Sequence, residues 1–195
     1  MARSGPVTKD TTTVALGLAQ VRIGASATNI FQINPVLTAS DSIGALANTK
    51  YVGDQEVWKL ESGFPLLEDT VIPLRVNAAL ECAFKEMTPY NFALARGIDP
   101  SDGSYALAHS GEVPLGNLVA PEYVRMEALY TFPDGTHYMD IIFPRAQVIG
   151  TMEVDLQAQD AAAVPVRIEA KRADSEVSGG HAVWDEKPLG RIMFR

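Results

Sequence analysis

The chain is poor in the residues that usually carry chemistry: one cysteine, Cys82, and three histidines in 195 residues. A single thiol cannot close an internal disulfide, so the fold needs no oxidising compartment. His109, His137 and His181 stand far apart, and none has a neighbour at metal-ligand spacing. Basic charge is also short. Lys and Arg number 16 against 24 Asp and Glu, a net charge of -8 that argues against a grip on nucleic acid, whose phosphates are held by clustered cations. No run approaches the ~20 apolar residues of a membrane-spanning helix. The opening MARSGPVTKDTTT lacks the apolar segment of a secretory signal. There is no G-x-S-x-G elbow and no glycine-rich phosphate loop after a strand. Carboxylate pairs such as Glu153 and Asp155 fit a solvated strand face. No catalytic residue, cofactor or metal is expected, no membrane partner is expected, and synthesis in a cytoplasm is.

What the chain has is period-two alternation. Its 47% hydrophobic content suffices for one core. We read residues 13–175 as that β domain, 1–12 as an N-terminal arm, and 176–195 as a C-terminal arm or terminal strand. The longest alternating run, IPLRVNAALECAF at 72–84, puts Ile72, Leu74, Val76, Ala78, Leu80, Cys82 and Phe84 on one face. That face is expected in the core, and Arg75, Asn77, Ala79 and Glu81 in water. At ~3.3 Å per residue the run spans roughly 40 Å, about twice an ordinary strand.

Other strands are expected at 14–23, at 151–157 (TMEVDLQ) and at 164–171. A hairpin is expected about Pro133-Asp134-Gly135, with Val124, Met126, Ala128 and Tyr130 inward on one arm and Met139, Ile141 and Phe143 on the other. The C-terminal residues Ile192 and Phe194 read as a terminal strand. MTPYNFALARG is the one helix, with Thr88 as cap, Pro89 in the first turn and Gly97 as stop. Residues 41–64 form a long segment of weak pattern, within which KYVGDQEVWKLESG reads as a hairpin turning at Gly53-Asp54. Long loops without structure are uncommon unless they have work to do, so this one is expected to be ordered by contacts outside its own subunit, and its removal over 41–62 to leave a folded chain.

Long strands leave long edges whose backbone groups need partners. Pro73, Pro144 and Pro165 each remove a donor and mark bulges or ends. Several copies closing a ring would pair the remaining edges around a wet interior.

The succession VIPLRVNAALECAFKEM, TPYNFALARG, the hairpin at FPDGT and IFPRAQVIGTMEVDLQAQDAAAVPVRIEAKRAD resembles the major tail tube protein of tailed bacteriophages over roughly residues 65–175. The resemblance implies a mainly β fold, an antiparallel β-sandwich or half-barrel with one flanking short α-helix, whose strands join a ring-shaped barrel. It implies hexameric rings stacked into a tube that conducts DNA without binding it specifically. The implied partners are further copies of itself and the tape-measure, terminator and baseplate or tip proteins, and the implied location is the virion tail, assembled in the host cytoplasm. Glu81, Glu153, Asp155, Glu169, Arg75 and Lys85 are candidates to line the lumen, with Arg167 a partial neutraliser. Tyr51, Asp54, Trp58 and Leu60 are candidates for contacts between rings. The alternatives are a tube protein of a related phage-like particle or secretion machine, and a monomeric β-sandwich binding module. The module would require exposed aromatics on one face, for which Tyr123 and Tyr138 are the candidates.

Overall fold

The structure, a computed structural model, describes residues 15, 17, 19–63, 67–98, 111–116, 120–150, 152–154, 156 and 162–195. Alternation becomes strands β1 (Gln20–Ala25), β2 (Leu46–Ser62), β3 (Leu67–Phe84), β4 (Val124–Thr131), β5 (Tyr138–Val148), β6 (Val164–Ala170) and β7 (Arg191–Phe194). Two short helices, α1 (Ser26–Asn29) and α2 (Pro89–Ala95), interrupt them. The fold is mainly β: all seven strands form one antiparallel sheet in the order β1-β4-β5-β6-β3-β2, with β7 also on β5.

The main core lies on one face of that sheet. Val21 and Ile23 of β1, Met126 and Ala128 of β4, Ile141 and Phe143 of β5, Val166 and Ile168 of β6, and Leu80, Cys82 and Phe84 of β3 pack there. Each large side chain contributes about 1.5–3 kcal/mol by leaving water. Helix α2 packs on this cluster through Leu94 and Ala95. It begins where expected, Thr88 Oγ1 accepting from Asn91 N at 3.2 Å. It stops at Gly97, whose φ of +76° an L side chain rarely adopts.

The other face is also covered. Residues 26–38 and 171–190 lie over β4 and β5, burying Arg125, Glu127, Ile142 and Trp184. Strands β6 and β7 occupy the same edge of β5: Ala170 lies opposite Ala146 and Arg191 opposite Ile142. They form one interrupted line, and residues 171–190 are an excursion that leaves the edge and returns to it. The return is tight, because a Cβ on Gly190 would overlap the Ile142 carbonyl. At the break β5 carries two residues, Pro144 and Arg145, against the single Arg125 of β4. This is a bulge of the kind that bends a sheet.

Several expectations are corrected. The first strand begins at Gln20, and Val14, Leu16 and Leu18 fall outside the described residues. The described part of TMEVDLQ, residues 152–154 and 156, contains no strand. Gly53 and Asp54 do not turn; they sit within β2 opposite Ala78 and Asn77, so residues 46–62 are one strand of a β2–β3 hairpin. Glycine beside aspartate is a local turn signal, and long-range pairing with β3 outweighs it.

Candidate functional site: a projecting hairpin

Strand β3 pairs with β6 only from Ala79 to Phe84. From Leu67 to Ala78 its hydrogen-bonded neighbour is β2 alone. Twelve residues of β3 and ten of β2 therefore extend past the sheet, and the ten paired steps span roughly 33 Å at ~3.3 Å each. The projection is not polar. Tyr51, Val57, Trp58 and Leu60 on β2 and Val71, Ile72, Leu74 and Val76 on β3 are all exposed, from 39% for Val57 to 62% for Leu74.

This overturns the expected burial of Ile72, Leu74 and Val76 and has two physical causes. Among the described residues no helix or strand packs over the hairpin beyond Ala78. The ladder also shifts register, Glu56 lying opposite Arg75 but Val57 opposite Pro73, which leaves Leu74 as an extra residue. One extra residue reverses inward and outward on the bulged strand, so even positions before and after it no longer share a face. The same reading put Ala79 in water, yet it is 2% exposed, as enclosed as Leu80 at 1%.

The sequence-derived residues fall into two groups. Tyr51, Asp54, Trp58 and Leu60 all lie exposed on β2, within the projecting hairpin or at its base. Glu81 and Glu169 lie at the sheet's wet end within a ladder of charge. Lys50 Nζ is 3.2 Å from Glu81 Oε2, Arg167 reaches Glu81 Oε1 at 2.5 Å and Glu169 Oε1 at 3.1 Å, and Lys171 Nζ is 3.0 Å from Glu169 Oε2. Lys50 holds the Glu81 carboxyl below the usual range, and Lys171 does the same for Glu169. Two carboxylates meet three cations there, so this part of the face is not acidic. Arg75 Nε donates to Asn77 Oδ1 at 3.1 Å, and Lys85 is exposed just beyond β3. Glu153 is exposed outside any strand, and Asp155 lies outside the described residues.

Other groups have settled structural places. Burial pushes the Cys82 thiol up to about 12, so it stays protonated. Tyr123 and Tyr138 are both exposed, and the Tyr123 ring lies under the Arg145 guanidinium at 3.7 Å. Among the described residues no three His, Cys, Asp or Glu side chains are grouped to hold a metal ion, and no helix is long and apolar enough to cross a membrane.

Sequence reasoning missed the gap at the hairpin base. Where β6 ends, β3 separates from the line that β7 continues, opening a groove of about 440 Å³ lined by Tyr51, Val76, Ala78, Phe143, Arg191 and Ile192. The opposite side of the gap is lined by four cations, Arg75, Arg167, Lys171 and Arg172, against two carboxylates, Asp54 and Glu169. The signal for it was present in part, since β7 was legible, but the collinearity of β6 and β7 is a long-range pairing that alternation does not encode. No protein-family model and no curated protein matches the chain.

Proposed function

We propose that the chain is a structural subunit that builds a tube from stacked rings, the tail tube of a tailed bacteriophage that delivers the genome. The observation that carries this reading is the β2–β3 hairpin, which carries seven large apolar side chains out past the sheet. Such a surface is rarely left to water by a solitary protein. Among the described residues β2 ends the sheet with an edge that no strand pairs, β1 ends it with an edge met only by the Arg22–Ser42 bridge and the Ile43 N–H on the Val21 carbonyl, and β3 adds a stretch, 67–78, that β6 does not pair. Neighbouring copies around a ring would pair those edges, and the bend at Pro144 favours a curved, half-barrel wall over a flat one.

The wet face suits a conduit. The cations of the Lys50 to Lys171 ladder are engaged by carboxylates, so phosphates passing it would release few counterions and be held weakly. The hairpin contacts the adjacent ring, and tape-measure, terminator and baseplate or tip proteins close the assembly. Size-exclusion chromatography followed by negative-stain imaging tests this: rings or tubes are expected, and a compact monomer at high concentration refutes it.

A further inference from the structure

We propose that the two ends of the hairpin are complementary, so that the acidic tip of one copy seats in the cationic gap at the hairpin base of a second copy in the next ring. This rests on the tube reading and names the receiving surface. At the tip, Glu61 lies directly opposite Glu68, and Asp69 is the extra residue of a second register shift. Lys59 neutralises Glu68 at 2.6 Å, and Asp69 accepts a hydrogen bond from Ser62 Oγ. Neither Glu61 nor Asp69 has a cation within ion-pair distance among the described residues. Like charges facing each other across a ladder weaken a hairpin that stands alone. They are tolerated where a cation comes from elsewhere.

The base has the opposite surplus. Arg75 has Glu56 opposite it in register, yet its guanidinium bonds Asn77 and makes no ion pair among the described residues. Arg191 Nη2 donates to Asn34 Oδ1 at 2.8 Å, while its Nε is buried with no hydrogen-bond partner. Both line the gap, beside Tyr51, Val76 and Ile192, which would meet Trp58, Leu60 and Ile72 of the incoming tip. Each copy thus has one donor surface and one acceptor surface, at opposite ends of one element. Such a heterologous contact cannot close between two copies and propagates along an axis. The step it generates is about one projecting hairpin, ~33 Å.

The experiment is a charge swap read by sedimentation velocity and negative-stain imaging at low and high salt, with circular-dichroism melts to confirm folding. The tip variant Glu61→Lys/Asp69→Lys and the base variant Arg75→Glu should each form rings that stack only at about tenfold or higher concentration, a loss of ~1.4 kcal/mol or more. The triple variant should recover stacking, and stacking of the wild type should weaken with salt. A tip variant that stacks like wild type, or a triple variant no better than either parent, overturns the docking and leaves the tube reading intact. Absence of any ring or tube from wild type overturns both.

Discussion

Arg125 and Glu127 lie two residues apart on β4, and the Nε of the first donates to Oε1 of the second at 2.7 Å with both side chains closed to solvent. Both make further bonds. The Arg125 guanidinium also donates to the carbonyls of Asn29, Gln32 and Asn34, and the Glu127 carboxylate accepts from the amides of Val36 and Leu37. A stretch with little regular secondary structure thereby has its backbone satisfied by two strand side chains. Arg125→Leu leaves a buried carboxylate without its cation, and we expect a loss of about 3–5 kcal/mol in urea unfolding. A loss under ~1 kcal/mol would mean that the carboxylate finds water or another donor.

Trp184 performs the same service from the excursion. It is fully enclosed, and its Nε1 donates to the Ile30 carbonyl at 2.5 Å. Trp184→Ala should cost about 3–5 kcal/mol through the cavity it leaves. Trp184→Phe keeps much of the volume and should cost less, the excess over a volume effect reporting the ~0.5–1.5 kcal/mol of the bond. Equal losses in the two variants would show that packing contributes little.

These two residues also mark where the sequence was legible. Alternation located β3, β4, β5, β6 and β7, and the helix between β3 and β4 was readable from Thr88, Pro89 and Gly97, because each signal is local. The burial of Arg125 and Glu127 was not legible, since nothing in the period of β4 reveals that residues 26–38 and 171–190 return to cover that face. Alternation also placed Ile72 to Val76 in the core, because it reports a two-sided strand without reporting whether another element reaches it. The inter-ring candidates Tyr51, Trp58 and Leu60 proved exposed, but in a strand where a loop with a local hairpin was expected.

Ala79 shows the practical difference. From alternation alone, Ala79→Asp would be mild; at 2% exposure a carboxylate there is cut off from water and lies in register with Glu169, a like charge. We expect Ala79→Asp to destabilise by several kcal/mol, comparable to Leu80→Asp, in denaturant melts. An unchanged midpoint for Ala79→Asp would place that face in water after all.

Asp140 provides a test in pH. Burial raises its carboxyl above the ordinary range, and the Arg195 guanidinium at 3.1 Å pulls in the other direction without cancelling it. Between the ordinary and the raised value the folded chain holds a proton that the unfolded chain has lost, so this group's contribution to stability falls as pH rises through that window. At neutral pH the ionised form is the costly one. Asp140→Asn cannot ionise, so it should melt above wild type at pH 7, with the advantage vanishing below the normal carboxylate range. A variant less stable than wild type at pH 7 would show that the Arg195 pairing dominates.

The hairpin can be removed without touching the core if the cut respects the register. Removing 41–62 would not do so, since Ile43 and Leu46 are buried at 1% and 8% and the base of β2 holds the edge of β3. Asp54 and Asn77 lie opposite each other just beyond the end of β6, so joining them through Asn-Gly replaces residues 55–76 by a two-residue turn suited to an antiparallel ladder. That chain loses Trp58, Leu60, Ile72 and Leu74, which lie exposed in the isolated subunit, and keeps the buried face of β3. Its melting midpoint should stay within a few degrees of wild type, and its sedimentation should show no stacked assemblies. Unfolding would assign the projection to the subunit's own stability, whereas normal tubes would separate the hairpin from assembly altogether.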